Sequence, residues 1–373
     1  MGLARLFLAI VVALAHWRAN GLEPYRLDNI SGAFTLGFHA GYAVMFFYVV
    51  SGFLITYTLT VNYSADSRGW LRFYRGRFVR IFSVYWPIAI AIFVLIPGTF
   101  AAFAEADILD QFTKIFIFGQ DWRIPFAEYP NPHFAATFLF LEPSWTLGAE
   151  LTFYLLAPLL LRSWQTAVAI LILSFCARAA FVLVVGDMQS HPIWTYQFAA
   201  TTIGFFLLGH LACRAGFRWP ALRAPKVALY LVPACVVVMM FASHRGFDSP
   251  RFWISILCFT IALPSLFEAT KDARWLNFLG CLSYPLYLLH RPLIELTRDT
   301  IVPSFGGPGA STVIFLAFAV LASTLIHSAI ERPTARAMTF AINVLANVIR
   351  QFSSAVQAGM RPNGSGETER TPV

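Results

Sequence analysis

The chain has 373 residues, of which 58% are apolar, 16% aromatic and only 12% charged. An ordinary soluble domain carries roughly 25% charged residues, and no soluble fold of this length could hide so much Phe, Trp and Leu, so that class is excluded. The net charge of +8 would suit a nucleic-acid binder, but the placement of the basic residues marks membrane topology instead, and no nucleic-acid partner is expected.

Apolar runs of about 17–25 residues, the length that spans a bilayer as a helix, separate clusters of charge. The alternation of barrel strands is missing. In chain order the sequence predicts spans near 3–17, 33–61, 81–97, 144–161, 164–185, 194–213, 227–243, 252–268, 276–296 and 311–330. The expected fold class is therefore all-α, a polytopic integral membrane bundle of about ten transmembrane helices.

The first span, with Arg5, an apolar run and Ala13-Leu14-Ala15, looks like a secretory signal and is read here as a retained helix. Arg5 and His16 lie eleven residues apart in it. At about 100° per residue the two share one helix face, separated by about 16 Å along the axis. After the second span, Arg68, Arg72, Arg75, Arg77 and Arg80 occupy a connection read over 62–80. Arg77 and Arg80, three apart, are neighbours on a helix face. Anionic lipid would be satisfied by Lys, whereas a run made only of Arg suits bidentate phosphate binding.

The connection 98–143 on the opposite side holds Glu105, Asp107, Asp110, Asp121, Glu128 and Glu142 and reads as a folded cap. Glu150 follows one and a half turns into the fourth span, and His290 lies in the ninth between Pro285 and Pro292, which are expected to break that helix. Arg178, His210 and His327 are read as snorkelling or helix-pairing groups. The five cysteines include no C-x-x-C pair, so neither a metal site nor a disulfide framework is expected. Met338, Ile342, Leu345, Ile349 and Phe352 recur at helical spacing. They predict a cytoplasmic amphipathic surface helix over 336–358, after a membrane domain over 1–335 and before a disordered tail over 359–373.

Assigning the connections alternately to two sides puts 17 of the 27 Lys and Arg on one side and 7 on the other, with Arg5, Arg178 and Arg291 inside spans. Basic residues are retained in the cytoplasm, so the rich side, with both termini, is expected there. His16, Glu150 and His290 then fall in the outer half of their helices. Ionisable groups in a span are functional candidates by default, and these three form an acid/base set.

Several segments together resemble the acyltransferase-3 membrane family. They are Arg5-x10-His16, Met45-Phe46-Phe47-Tyr48-Val49-Val50-Ser51-Gly52-Phe53-Leu54-Ile55, Phe73-Tyr74-Arg75-Gly76-Arg77-Phe78-Val79-Arg80-Ile81, Trp145-Thr146-Leu147-x-x-Glu150, Ser283-Tyr284-Pro285-Leu286-Tyr287-Leu288-Leu289-His290 and Glu331-Arg332-Pro333. Val44 stands where the family often has an acid, and Ser83 where it often has Pro. The resemblance implies acyl transfer, commonly acetyl, from cytoplasmic acyl-CoA to a hydroxyl of a glycan or lipid-linked glycan, in a bacterial-type plasma (inner) membrane. Acyl-CoA is then a co-substrate, and no metal is expected. By the same resemblance His16 is the base, Arg5 its partner, and Arg77 and Arg80, with Arg75 beside them, bind the donor. Glu150 is expected to orient His16 or the acceptor. His290, Tyr287, Ser51 and Trp145 are expected to bind the acceptor. Direct transfer and a two-step route through an acylated Ser51 or His16 both stay open. The rival reading is a proton-coupled transporter of a polar or glycosidic substrate, although transporters often show repeated halves, and none is visible.

Overall fold

The computed structural model describes residues 1–19, 40–95, 101, 104–105, 141–186, 193–240, 248–304 and 308–359. Among these residues every regular element is helical: α1 Gly2–Ala19, α2 Ala40–Asn62, α3 Ser67–Leu95, α4 Trp145–Leu160, α5 Trp164–Val185, α6 Ala199–Arg218, α7 Pro225–Met240, α8 Pro250–Thr270, α9 Arg274–Ser304, α10 Pro308–Leu325 and α11 Arg332–Gly359. In hydrocarbon each backbone N–H and C=O must find an internal partner, and a helix supplies one within a single segment.

Among the described residues, six helical stretches are long and apolar enough to cross a membrane: α2, α3, Trp164–Val184 in α5, Trp194–Arg218 with α6, α8, and Ala310–Ser354, which joins α10 to α11. Gly2–Trp17, Trp145–Leu160 and Pro225–Met239 are apolar but shorter. Each predicted span overlaps one of α1–α10.

The structure corrects several boundaries. The arginine-rich segment is no connection but the first turns of α3, which begins at Ser67. Asp66 starts it, its carboxylate accepting from the Gly69 backbone N–H at 2.6 Å and from Ser64 Oγ at 2.8 Å. Pro285 and Pro292 do not break the ninth helix, which runs unbroken from Arg274 to Ser304. Packing by neighbouring helices lets membrane helices tolerate proline. The C-terminal amphipathic helix starts at Arg332, continuing α10 through a π-turn over Ile326–Glu331. The acidic cap falls largely outside the described residues, and the tail after Gly359 falls wholly outside them.

Three helix pairings set the bundle: α1 lies against α9 and α2, while α2 packs along α6. The pairing of α2 with α6 depends on glycine. A Cβ on Gly52 would overlap the Phe206 backbone carbonyl, and one on Gly209 would overlap that of Val49. Small residues let membrane helices approach backbone to backbone, and this approach holds Ser51, beside Gly52, in place. At the periphery α5 turns Leu173, Leu183 and Val184 outward, at no cost when the solvent is lipid. Arg178, buried on the same helix, does not snorkel. It donates from Nε to Asp248 Oδ1 at 2.8 Å and from Nη2 to Asp248 Oδ2 at 3.1 Å, and also to the Thr195 carbonyl.

Candidate active site

The site grows from five helices. α1 brings Arg5 and His16, α2 brings Ser51, α3 brings Arg77 and Arg80, α4 brings Glu150 and Tyr154, and α9 brings Tyr284, Tyr287 and His290. Two cavities meet among them. The first, about 500 Å³, is lined by Arg5, Val44, Tyr48, Ser51, Thr146, Glu150, Ser283, Tyr284 and Tyr287, among others. The second, about 690 Å³, is lined by Arg5, Ser51, Thr58, Arg77, Arg80, Glu150, Tyr154 and Tyr284 with apolar neighbours. Arg5, Ser51, Glu150 and Tyr284 belong to both walls. A third cavity, about 710 Å³, touches Arg5 and Leu54 and reaches Tyr57, Lys271 and Asn277. Arg5 therefore borders all three.

The carboxylate of Glu150 is held by two hydroxyls. Ser51 Oγ donates to its Oε1 at 2.9 Å, and the Tyr154 hydroxyl donates to the same oxygen. Tyr154 sits four residues on from Glu150, so helical spacing alone could have found this pair. The Arg77 guanidinium lies 5.6 Å from the ring centre of Phe73 and 5.7 Å from that of Tyr154, cation–π distances. Its buried Nε has no hydrogen-bond partner among the described residues.

The two histidines meet directly. His290 Nε2 lies 2.9 Å from His16 Nδ1, with the rings stacked at 4.9 Å between centres. On its other edge, His290 Nδ1 lies 2.6 Å from the Tyr287 carbonyl. A carbonyl only accepts, so neutral His290 carries its proton on Nδ1 and must accept at Nε2. His16 then donates from Nδ1, which leaves the His16 lone pair on Nε2. Such fixing of a tautomer by a second group is a general device for preparing an imidazole.

The structure brings His290, on α9, against His16, on α1, and sets Glu150, on α4, against Ser51 of α2. His16 and His290 are not among the residues lining the cavities. Tyr287, which lines the first cavity with its ring 5.8 Å from that of His290, stands at the boundary. Arg77 and Arg80 line the second cavity, but Arg75 points elsewhere. It donates to Asn343 Oδ1 at 2.6 Å and to the Thr339 carbonyl at 3.1 Å, tying α3 to α11. Trp145 is buried against Tyr196, with ring centres 4.7 Å apart, and supports the cavity wall through its neighbours Thr146 and Leu147. Among the described residues no cluster of three His, Cys, Asp or Glu is arranged to hold a metal ion.

An acyltransferase-domain profile matches residues 1–329. This chain belongs to the acyltransferase-3 family. Similar proteins include two from Staphylococcus aureus, strains MRSA252 and COL, each provisionally named an O-acetyltransferase. Both are 23% identical over 342 residues, covering 82% of this chain and 54% of the relative. Nodulation protein 10 of Rhizobium leguminosarum bv. viciae is 33% identical over 173 residues, 44% of each chain. This acyltransferase-3 chain thus spans about half the length of the curated relatives it matches. No solved structure matches it.

Proposed function

We propose that this protein is a membrane O-acyltransferase that moves an acyl group, acetyl in the first instance, from cytoplasmic acyl-CoA to a hydroxyl of a cell-envelope glycan or lipid-linked glycan. The observation that carries this reading is the pair of cavities sharing Arg5, Ser51, Glu150 and Tyr284. One is walled by arginines. The other is walled by hydroxyl and aromatic groups and backed, behind Tyr287, by the imidazole pair.

Acyl-CoA supplies an activated thioester. Its phosphates suit the second cavity, where Arg77 and Arg80 offer fork-shaped donors to phosphate oxygens and the buried Arg77 Nε has no protein partner among the described residues. The excess of Lys and Arg in the segments flanking this end of the bundle supports a cytoplasmic position for it, in a bundle of about ten spans within a bacterial-type plasma membrane. In the first cavity, Ser283, Thr146 and the tyrosines suit the hydroxyls and ring faces of a sugar. His16, its lone pair directed to Nε2 by His290, takes the proton of the acceptor hydroxyl as a general base. Arg5, at the junction, is placed to stabilise negative charge on the carbonyl oxygen during transfer.

The test uses the purified full chain in proteoliposomes, labelled acetyl-CoA and a cell-envelope glycan extract. Mass spectrometry reads the acyl mass gained by the glycan. Wild type adds it, and folded His16→Ala does not. Glycan uptake that needs no coenzyme A, with no acyl mass gained, would replace this reading with the transporter.

A further inference from the structure

We infer that Ser51 is the nucleophile that carries the acyl group between the two cavities, as a seryl ester. The inference rests on the acyltransferase reading and specifies its route. Three observations lead to it. Ser51 lines both cavities, so it stands between a donor on the arginine side and an acceptor on the other. Its hydroxyl already points at a base, donating to Glu150 Oε1 at 2.9 Å. That base is itself oriented, because Tyr154 donates to the same oxygen. A nucleophile in hydrogen-bond reach of a base, with a third group holding the base, is the arrangement by which enzymes activate a hydroxyl.

The position is also rigid. Ser51 precedes Gly52, whose missing side chain lets α2 lie on the Phe206 carbonyl of α6, and α4 presents Glu150 to Ser51. Arg5 lies on both walls and can face the carbonyl oxygen in either half of the reaction. The Tyr154 ring is shared, since its face receives Arg77 while its hydroxyl holds Glu150. The donor-side arginine and the base are thereby joined through one side chain.

The steps balance as follows. Ser51 Oγ attacks the thioester carbon; the C–Oγ bond forms and the C–S bond breaks. The serine proton passes to Glu150, and coenzyme A leaves as a thiolate, which is protonated by cytoplasmic water. In the second half the acceptor oxygen attacks the seryl ester. The acceptor C–O bond forms, the C–Oγ bond breaks, and Glu150 returns its proton to Ser51. The acceptor's own proton goes to His16 and on to water. No oxidant or further co-reactant is needed.

The experiment incubates the full chain in proteoliposomes with labelled acetyl-CoA and no acceptor, then digests it and maps the label. The expected result is one acetyl group on the peptide containing Ser51, sensitive to alkaline hydroxylamine. His16→Ala should retain or accumulate this label, since only the second half needs His16. Ser51→Ala should lose the label and at least 100-fold of the transfer rate. Ser51→Cys, which keeps the volume, should carry the label as a thioester that neutral hydroxylamine cleaves, and this outcome holds even if Ser51→Ala misfolds. Glycan acylation by wild type without any label at residue 51 would overturn the inference while leaving the acyltransferase reading intact. Label on His16 would overturn it equally. Absence of both glycan acylation and coenzyme A release would overturn the underlying reading as well.

Discussion

Replacing His290 isolates the most specific geometric feature of the site. Its Nδ1 is engaged by the Tyr287 carbonyl at 2.6 Å, so its Nε2 accepts from His16 Nδ1 at 2.9 Å. His290→Ala removes that acceptor and lets His16 place its proton on Nε2, where the proposed base needs a lone pair. A positioned general base contributes about 10²–10⁴-fold in rate, or about 2.7–5.5 kcal/mol at 1.36 kcal/mol per tenfold. Loss of the correct tautomer should therefore lower kcat at least 100-fold, with the KM for acyl-CoA unchanged, because Arg77 and Arg80 lie on another cavity wall. Side-chain length discriminates between causes. The amide oxygen of Gln reaches about where Nε2 stands and can accept from His16; that of Asn stops near Nδ1. His290→Gln should recover to within about tenfold of wild type, while His290→Asn should resemble His290→Ala. The assay follows release of the coenzyme A thiol during glycan acylation, with folded protein quantified for each variant. Full activity in His290→Ala, or equal rates for folded Gln and Asn variants, would refute the relay.

Three further outcomes test the scaffold. Arg178→Met strands Asp248, which otherwise receives two donated hydrogen bonds from a side chain only 2% exposed. Breaking such a buried pair costs about 3–5 kcal/mol, so thermal unfolding in detergent should shift sharply, and adding Asp248→Leu should restore much of the loss. Gly52→Ala forces a methyl group onto the Phe206 carbonyl. Overpacking of this kind costs about 1–3 kcal/mol, seen as a lower Tm together with reduced transfer, since Ser51 moves with the backbone. Asp66 lies outside the membrane spans, and its bonds from Gly69 N–H and Ser64 Oγ hold its carboxyl below the usual value of 3.8. A depressed folded-state pKa contributes stability above the unfolded value and loses it as pH falls through the folded one. Hydrogen exchange in the first turn of α3, corrected for its intrinsic pH dependence, should therefore rise under acid conditions. Asp66→Asn should abolish that dependence.

Helices, their approximate limits and the family were readable from the chain alone. Apolar run length reflects bilayer thickness, a constraint local to each segment, and motifs such as Arg5-x10-His16 are contiguous strings. Even the Glu150–Tyr154 pair was within reach, because four residues along one helix make a neighbour. The role of each polar side chain was another matter. From the sequence, Glu150 is expected to orient His16 or the acceptor and His290 to bind the acceptor, both at similar depth. Only the packing of α1 along α9, and of α4 towards α2, separates them into an imidazole relay and a Ser51–Glu150 pair. Arg75 and Arg77, two residues apart, point to different elements for the same reason: a step of about 200° around the helix sends one to α11 and the other into a cavity. Which helix stands opposite a side chain depends on contacts between segments far apart in the chain, such as Gly52 against Phe206, and no local pattern encodes that choice.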